Sequence, residues 1–130
     1  MLSRLSSDLN KKVLKITSLK ILILNAINNN NYELLATSSV KFIKQTETAL
    51  QKFMKYEIEH KNSFLYYFEV KEAKSALFKI LTCIVSLISK INNVIIETNL
   101  TRTNYLRYLE GEKRLTHLRE NYSYILRKIT

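Results

Sequence analysis

The sequence predicts an all-α fold: an elongated antiparallel three-helix bundle with one long helix and an amphipathic C-terminal segment. The chain has no proline and only one glycine, Gly111, in 130 residues, so almost nothing interrupts a helix. Apolar residues recur at spacings of three and four, the helical period. With 46% hydrophobic residues, the chain can bury the core of a single domain.

The first predicted helix covers residues 2–27 and ends at the asparagine run 28–31. Asparagine tolerates the left-handed conformation that ends helices, and its side chain caps a following helix well. Asn30 with Glu33 three residues later fits a capping arrangement. Since the loop is short, the second helix should lie antiparallel to the first. The apolar stripe of the first helix contains Leu2, Leu5, Leu9, Val13, Ile16, Leu19, Ile23 and Ile27.

The second predicted helix covers residues 32–59 and carries two neighbouring apolar stripes, so it should contact two other helices. The polar segment 60–63 ends it. The aromatic residues at 64–68 are interpreted as the hydrophobic end of the bundle.

The third predicted helix is long, residues 70–110, and would span roughly 60 Å at 1.5 Å per residue. Continuing its heptad register places Thr98, Arg102 and Tyr105 at core positions, and a dry core does not accept an unpaired arginine. We therefore expect a core of residues 1–97 and a projecting segment of residues 98–130. The seam that defines the register contains Val70, Leu77, Leu81, Ile84, Ile88, Ile91 and Ile95.

The C-terminal segment is the candidate binding site. Residues 99–130 hold five of the six arginines and four of the eight tyrosines, the residue types enriched in protein-binding hot spots. Leucines and tyrosines would form an apolar face for a partner helix, and arginines would add charge complementarity. The alternative is an amphipathic helix folded back on the bundle. The candidate partner-binding residues are Arg102, Tyr105, Leu106, Arg107, Leu109, Arg114, Leu115, Leu118, Arg119, Tyr122 and Ile125.

The formal charge of +10 and the sequence pI near 9.7 indicate acidic partners or nucleic acid. The excess of cations lies at the two ends of the chain. A basic helical nucleic-acid-binding protein is therefore an alternative function, since arginine and tyrosine also serve phosphate pairing and base stacking. A second alternative is a structural homo-oligomer in which the apolar seam of one chain pairs with that of another.

No motif dictates a reaction, so we expect no enzyme and no cofactor. His60 and His117 have no second ligand at metal spacing, so we expect no metal site. The lone Cys83 needs no oxidising compartment and should pack as a small hydrophobe. The uninterrupted apolar run, 80–88, is too short for a membrane span. With no secretory signal peptide in the sequence, a cytoplasmic location is expected.

Two stretches resemble a known family. In residues 24–35 a leucine-rich helix meets a short polar loop, an acidic residue and a leucine pair, and residues 88–99 form an asparagine-punctuated stretch of the long helix. Over residues 5–110 this pattern resembles the flagellar export chaperones of the FlgN/FliT type. The resemblance implies a cytoplasmic chaperone that holds the helical end of a filament or hook-associated subunit until export. The C-terminal region, here about residues 98–129, would bind that subunit.

Overall fold

The structure, a computed structural model, describes the backbone of residues 3–129 and the side chains of residues 3–120. The described residues form four helices and no strand, so the predicted all-α class is confirmed. The first two helices begin and end within two residues of the predicted bounds. The helices are α1 (Arg4–Asn28), α2 (Tyr32–His60), α3 (Tyr66–Thr98) and α4 (Thr103–Ile129).

Local hydrogen bonds fix where the first two helices start. The Ser3 hydroxyl accepts the backbone N–H of Ser6 at 3.2 Å and caps α1. Asn31, rather than the predicted Asn30, caps α2, because its side chain accepts the N–H of Leu34 at 3.2 Å. Asn30 instead adopts a left-handed conformation with φ 52°, which turns the chain between the helices.

The four helices pack in the order α3–α1–α2–α4, with α1 and α2 as the central antiparallel pair. The Lys12 ammonium donates to the Gln45 amide oxygen at 2.8 Å across this pair. The N-termini of α1 and α3 lie together, since the Ser3 N–H donates to the Glu72 carboxylate at 2.6 Å. Thus α3 runs parallel to α1. The helices α3 and α4 contact each other less extensively than either contacts its neighbour in the central pair.

The expected long helix over residues 70–110 is wrong, because α3 ends at Thr98. Asn99 adopts a left-handed conformation (φ 52°, ψ 44°), and the N–H of Leu100 donates back to the Ile95 carbonyl at 3.2 Å. Arg102 lies exposed in the turn that follows, which removes the conflict of an arginine at a core position. The chain then reverses, so the described part of the segment 98–130 packs on α2 and α3 instead of projecting.

The apolar seam of α3 is buried in the bundle of its own chain. Its members are at most 8% exposed, and they pack with α1 and α2 residues such as Leu9, Ile23, Phe42 and Phe53. Burial of such a set supplies most of the driving force for folding. A second copy therefore has no free seam to pair with in this fold. The seam contains Val70, Leu77, Leu81, Ile84, Ile88, Ile91 and Ile95.

By length and composition alone, α3 could cross a membrane. Its most apolar window has a mean hydropathy of 1.6, and 39% of that window is buried inside the structure. The core helix of a soluble bundle meets the same criteria, and one face of α3 does form the core. The absence of a membrane span stays a prediction.

Candidate functional site

The structure divides the predicted binding residues of α4 between two faces. Tyr105 and Leu115 are fully buried and Leu109 and Leu118 are half-buried against the bundle. The inward face of α4 is thus used by the fold, as in the alternative of a folded-back helix. Arg102, Leu106, Arg107 and Arg114 are exposed and Arg119 is half-buried, while the side chains of Tyr122 and Ile125 lie outside the described residues.

Two tyrosines and the only glycine hold α4 on α2. The Tyr105 hydroxyl donates to the backbone carbonyl of Tyr32 at 2.7 Å, and burial raises the pKa of Tyr105 to about 12. Tyr108, which sequence reasoning missed, is also fully buried. A methyl group at Gly111 would lie 2.5 Å from Cγ2 of Ile43, so the glycine permits the close approach of the two helices.

The groove between α2 and α4 has a volume of about 440 Å³ and carries charges of both signs. Arg107, Arg114 and Lys44 line it together with Glu47 and Glu110. The Arg114 guanidinium lies 3.4 Å from the Glu47 carboxylate. Because these carboxylates offset the arginines, the groove is a poor match for a phosphate backbone, which needs a surplus of cations.

The groove between α1 and α3 is smaller, about 270 Å³, and more apolar. Its walls contain Val13, Ile16, Phe78 and Ile80, and its polar lining consists of threonines, lysines and the half-buried Cys83. No carboxylate lines it. The other lining residues are Thr17, Lys20, Lys79 and Thr82.

An exposed apolar stripe borders each wall of this α1/α3 groove. On α1, Leu14 and Ile21 are 71% and 56% exposed and share a face with the groove-lining Thr17, by their spacing of three and four. On α3, Phe78 and Val85 are 61% and 58% exposed. They share a face with the groove-lining Thr82 in the same way.

The charged residues that line the α1/α3 groove are both basic, Lys20 and Lys79. By helical spacing, Lys11 and Lys15 lie on the opposite face of α1 from the groove-lining Val13, Thr17 and Lys20. Lys12 faces α2, where it donates to Gln45, and partial burial, with repulsion from Lys15 and Lys52, lowers its pKa. The groove therefore offers apolar contact framed by positive charge.

Sequence reasoning did not find this groove. Leu14 and Ile21 fall outside the stripe that predicts the buried face of α1, and Phe78 and Val85 fall outside the seam of α3. The available signal was their spacing of seven residues, which places each pair on one helix face. That the two pairs border one groove follows only from the parallel packing of α1 and α3.

The described residues contain no group of three or more histidine, cysteine, aspartate and glutamate side chains able to hold a metal ion. His60 lies 3.8 Å from the Glu59 carboxylate and packs against the Tyr56 ring, with 4.7 Å between centroids. His117 is exposed on α4. Both are surface histidines, and His60 lines a cavity of about 620 Å³ together with Glu59, Glu69 and Asp8.

No protein-family model, curated protein or solved structure matches this chain. The two grooves and the remaining exposed surface are therefore the candidate binding sites. Of the two, the α1/α3 groove combines exposed apolar side chains at its borders with a lining that contains two lysines and no carboxylate.

Proposed function

We propose that this chain is a non-enzymatic adaptor or chaperone that binds a helical segment of a partner protein in the α1/α3 groove. The observation that carries the proposal is the pair of exposed stripes, Leu14/Ile21 and Phe78/Val85, on either side of a groove without carboxylates. Grooves of this kind accept the apolar face of an amphipathic helix through anchors spaced three, four and seven residues apart.

The charge around the groove specifies the flanks of the partner helix. Lys20 and Lys79, which line the groove, favour aspartate and glutamate beside the apolar anchors, because complementary potentials steer association and exclude wrong partners. A second copy of this chain brings lysines to lysines and is disfavoured. The occupant we propose is an acidic amphipathic helix.

The partner is a helical protein segment, as expected from the sequence, but it binds in the α1/α3 groove and not mainly on the C-terminal segment. Of the predicted binding residues whose side chains are described, only Arg102, Leu106, Arg107 and Arg114 remain exposed, since Tyr105 and Leu115 are buried against the bundle. The three arginines can contribute a charged second contact. That the partner is an exported filament or hook-associated subunit rests on the resemblance to the FlgN/FliT type alone.

A designed peptide tests the groove without knowledge of the natural partner. The probe is a labelled amphipathic helix with leucines at three-four spacing and glutamates on both flanks, and its match carries lysines in place of the glutamates. Fluorescence anisotropy should show binding of the acidic probe only. The double variant Leu14→Ser/Ile21→Ser should weaken binding at least about tenfold, since two apolar contacts are lost.

The control is Leu106→Ser, a leucine of similar exposure on α4, and it should bind the probe like the parent. Affinity purification from the native cell extract, with nuclease present, extends the test to the natural partner. A protein retained by Leu106→Ser and lost from the groove variant supports the proposal. Equal retention by both variants contradicts the groove assignment.

A parallel purification, in which nuclease is added only after capture, distinguishes a nucleic-acid partner from a protein partner. If nucleic acid is recovered before nuclease treatment and nothing afterwards, with affinity falling log-linearly with salt, the basic ends are the functional surface. A groove-bound helix should depend much less on salt, because apolar burial supplies its affinity.

A further inference from the structure

The outer surface of the central α1/α2 pair carries a cluster of lysines. The hydrogen bond from Lys12 to Gln45, at 2.8 Å, places these two residues side by side on the antiparallel helices. Further lysines recur at helical spacing around them, so they share the same surface. We call this surface the basic face. Its cations are Lys11, Lys12 and Lys15 of α1 and Lys41 and Lys52 of α2.

Mutual repulsion shows that lysines of the two helices are close together. Partial burial lowers the pKa of Lys12, and repulsion from Lys15 and from Lys52 across the helix pair lowers it further. Apart from the half-buried Lys12, the lysines of the basic face are exposed. None of them forms an ion pair among the described residues, so their charges are available to an anionic ligand.

At one end the basic face meets the cavity of about 620 Å³, and there the charges balance. Carboxylates keep their charge whether or not they accept hydrogen bonds, and the cavity is lined by as many carboxylates as lysines and arginines. This end therefore offers no surplus of cations. The lining cations are Arg4, Lys52 and Lys55, and the carboxylates are those of Asp8, Glu59 and Glu69.

The surplus lies beyond the cavity, where four lysines have no carboxylate to offset them on the described part of this surface. Asp8, already counted at the cavity, is the only acidic residue of α1. On α2, the acidic residue nearest to Lys41 in sequence is Glu47, which pairs with Arg114 of α4 on another side of the helix. The four lysines are Lys11, Lys12, Lys15 and Lys41.

We propose that the basic face binds the phosphate backbone of a nucleic-acid duplex. Lysines that neutralise phosphates release counterions, and this release supplies the affinity without any apolar anchor. Gln45 adds a neutral donor of the kind that phosphate oxygens accept, because its amide oxygen is used by Lys12 while its amide nitrogen has no partner among the described residues.

The polar character of the surface favours a nucleic acid over an acidic protein or a membrane. Between Tyr32 and Lys52, α2 exposes no large hydrophobic side chain, whereas protein interfaces have an apolar core and membrane-surface helices insert apolar side chains. The helix α1 contains no aromatic residue, and this part of α2 exposes none. Single strands bind by stacking their bases on aromatic rings, so the expected ligand is a duplex contacted through its backbone.

This binding does not depend on the helix-binding groove. Lys11 and Lys15 lie on the face of α1 opposite to the groove-lining Val13 and Thr17. A duplex and a partner helix can therefore be bound at the same time, and each can be tested without the other.

Fluorescence anisotropy of the full chain with a labelled DNA duplex of mixed sequence, and with the RNA duplex of the same sequence, tests the proposal. The logarithm of the affinity should fall linearly with the logarithm of the salt concentration, with a slope of about −3.6 if each of the four lysines meets one phosphate. Binding of only one duplex would identify the source of the phosphates as DNA or RNA. Binding of neither overturns the proposal.

A charge-matched pair of variants locates the surface. Lys11→Gln/Lys15→Gln/Lys41→Gln should weaken binding of the duplex at least about tenfold at low salt and reduce the salt slope by about 2.7. The control removes three exposed lysines from α3 and α4 and should retain most of the affinity. Equal losses in both would mean that net charge, rather than the basic face, attracts the duplex. The control variant is Lys71→Gln/Lys90→Gln/Lys113→Gln.

Two further comparisons separate this proposal from its rivals. Labelled polyglutamate should bind much more weakly than the duplex, and equal binding would assign the basic face to an acidic protein instead. The groove variant Leu14→Ser/Ile21→Ser should bind the duplex like the parent, and the basic-face variant should bind the acidic helical probe like the parent. The two proposals therefore fail independently.

Discussion

The hydroxyl of Tyr105 donates a hydrogen bond to the backbone carbonyl oxygen of Tyr32 at 2.7 Å, linking residues 73 positions apart in the chain. Tyr32 is the first residue of α2, and Tyr105 lies in the first turn of α4. The bond therefore fixes the parallel register of these two helices at their N-terminal ends. The apolar spacing of α4 would also suit a free helix that binds a partner, but this hydrogen bond holds the start of α4 on the bundle.

Removing this hydroxyl should weaken the fold, whereas removing that of Tyr108 should not. Tyr105→Phe should lower the free energy of unfolding by about 1 kcal/mol. The matched Tyr108→Phe should be neutral or stabilising, because the Tyr108 hydroxyl is buried without a hydrogen-bond partner among the described residues. Urea unfolding followed by circular dichroism measures both. Equal losses would mean that the two hydroxyls are in equivalent environments.

The buried tyrosines should make the protein sensitive to strong alkali. Burial raises the pKa of Tyr105 and of Tyr66 to about 12, and it raises the pKa of Tyr108 further. In the unfolded chain the pKa values are near 10, so the unfolded state loses its protons first. Stability from these groups is therefore complete below about pH 10 and falls as the pH rises toward 12.

Circular dichroism measures this loss, because the chain has eight tyrosines and total tyrosinate absorbance does not single out the buried ones. Helicity should fall in one cooperative step above about pH 10, and the double variant Tyr105→Phe/Tyr108→Phe should lose stability less steeply over that interval. An identical loss in the double variant would show that these two hydroxyls do not set the alkaline stability.

The spacing of apolar residues predicted which helix faces are buried in the bundle. The seam from Val70 to Ile95 is buried as expected, and the asparagines at 28–31 mark the first turn. The end of α3 was missed because the three-four pattern continues in register from Ile95 to Tyr105, while only Asn99 signals a stop. A single asparagine without proline or glycine is a weak signal, although its left-handed conformation is decisive in the fold.

The candidate sites could be predicted less well, for a physical reason. An amphipathic α4 has the same sequence pattern whether its apolar face packs on α2 or on a partner, because both environments reward the same spacing. The α1/α3 groove depends on which helices become neighbours, and local periodicity does not encode that. Exposure of residues 64–68 likewise depends on where the bundle ends.

Asn99 should tolerate glycine better than alanine. Its φ of 52° is strained for a residue with a Cβ, so Asn99→Ala should destabilise by about 1 kcal/mol and Asn99→Gly should be neutral or stabilising. The exposed Asn93 in the body of α3 is the control, where alanine should stabilise. Thermal unfolding of the three variants and the parent measures the differences. If alanine changes the stability equally at positions 93 and 99, Asn99 does not end α3 in a left-handed conformation.

Gly111 and Ile43 should be energetically coupled. An alanine Cβ at 111 would lie 2.5 Å from the Ile43 Cγ2 atom, and that branched side chain is almost fully buried. Overpacking should make Gly111→Ala destabilising by about 1–3 kcal/mol, which outweighs the roughly 1 kcal/mol that alanine gains over glycine in a helix. Removing the Ile43 branch removes the overlap. In the Ile43→Ala background, therefore, Gly111→Ala should become stabilising. A double-mutant cycle by urea unfolding measures this reversal of sign, and additive effects would show that α4 does not approach α2 at this position.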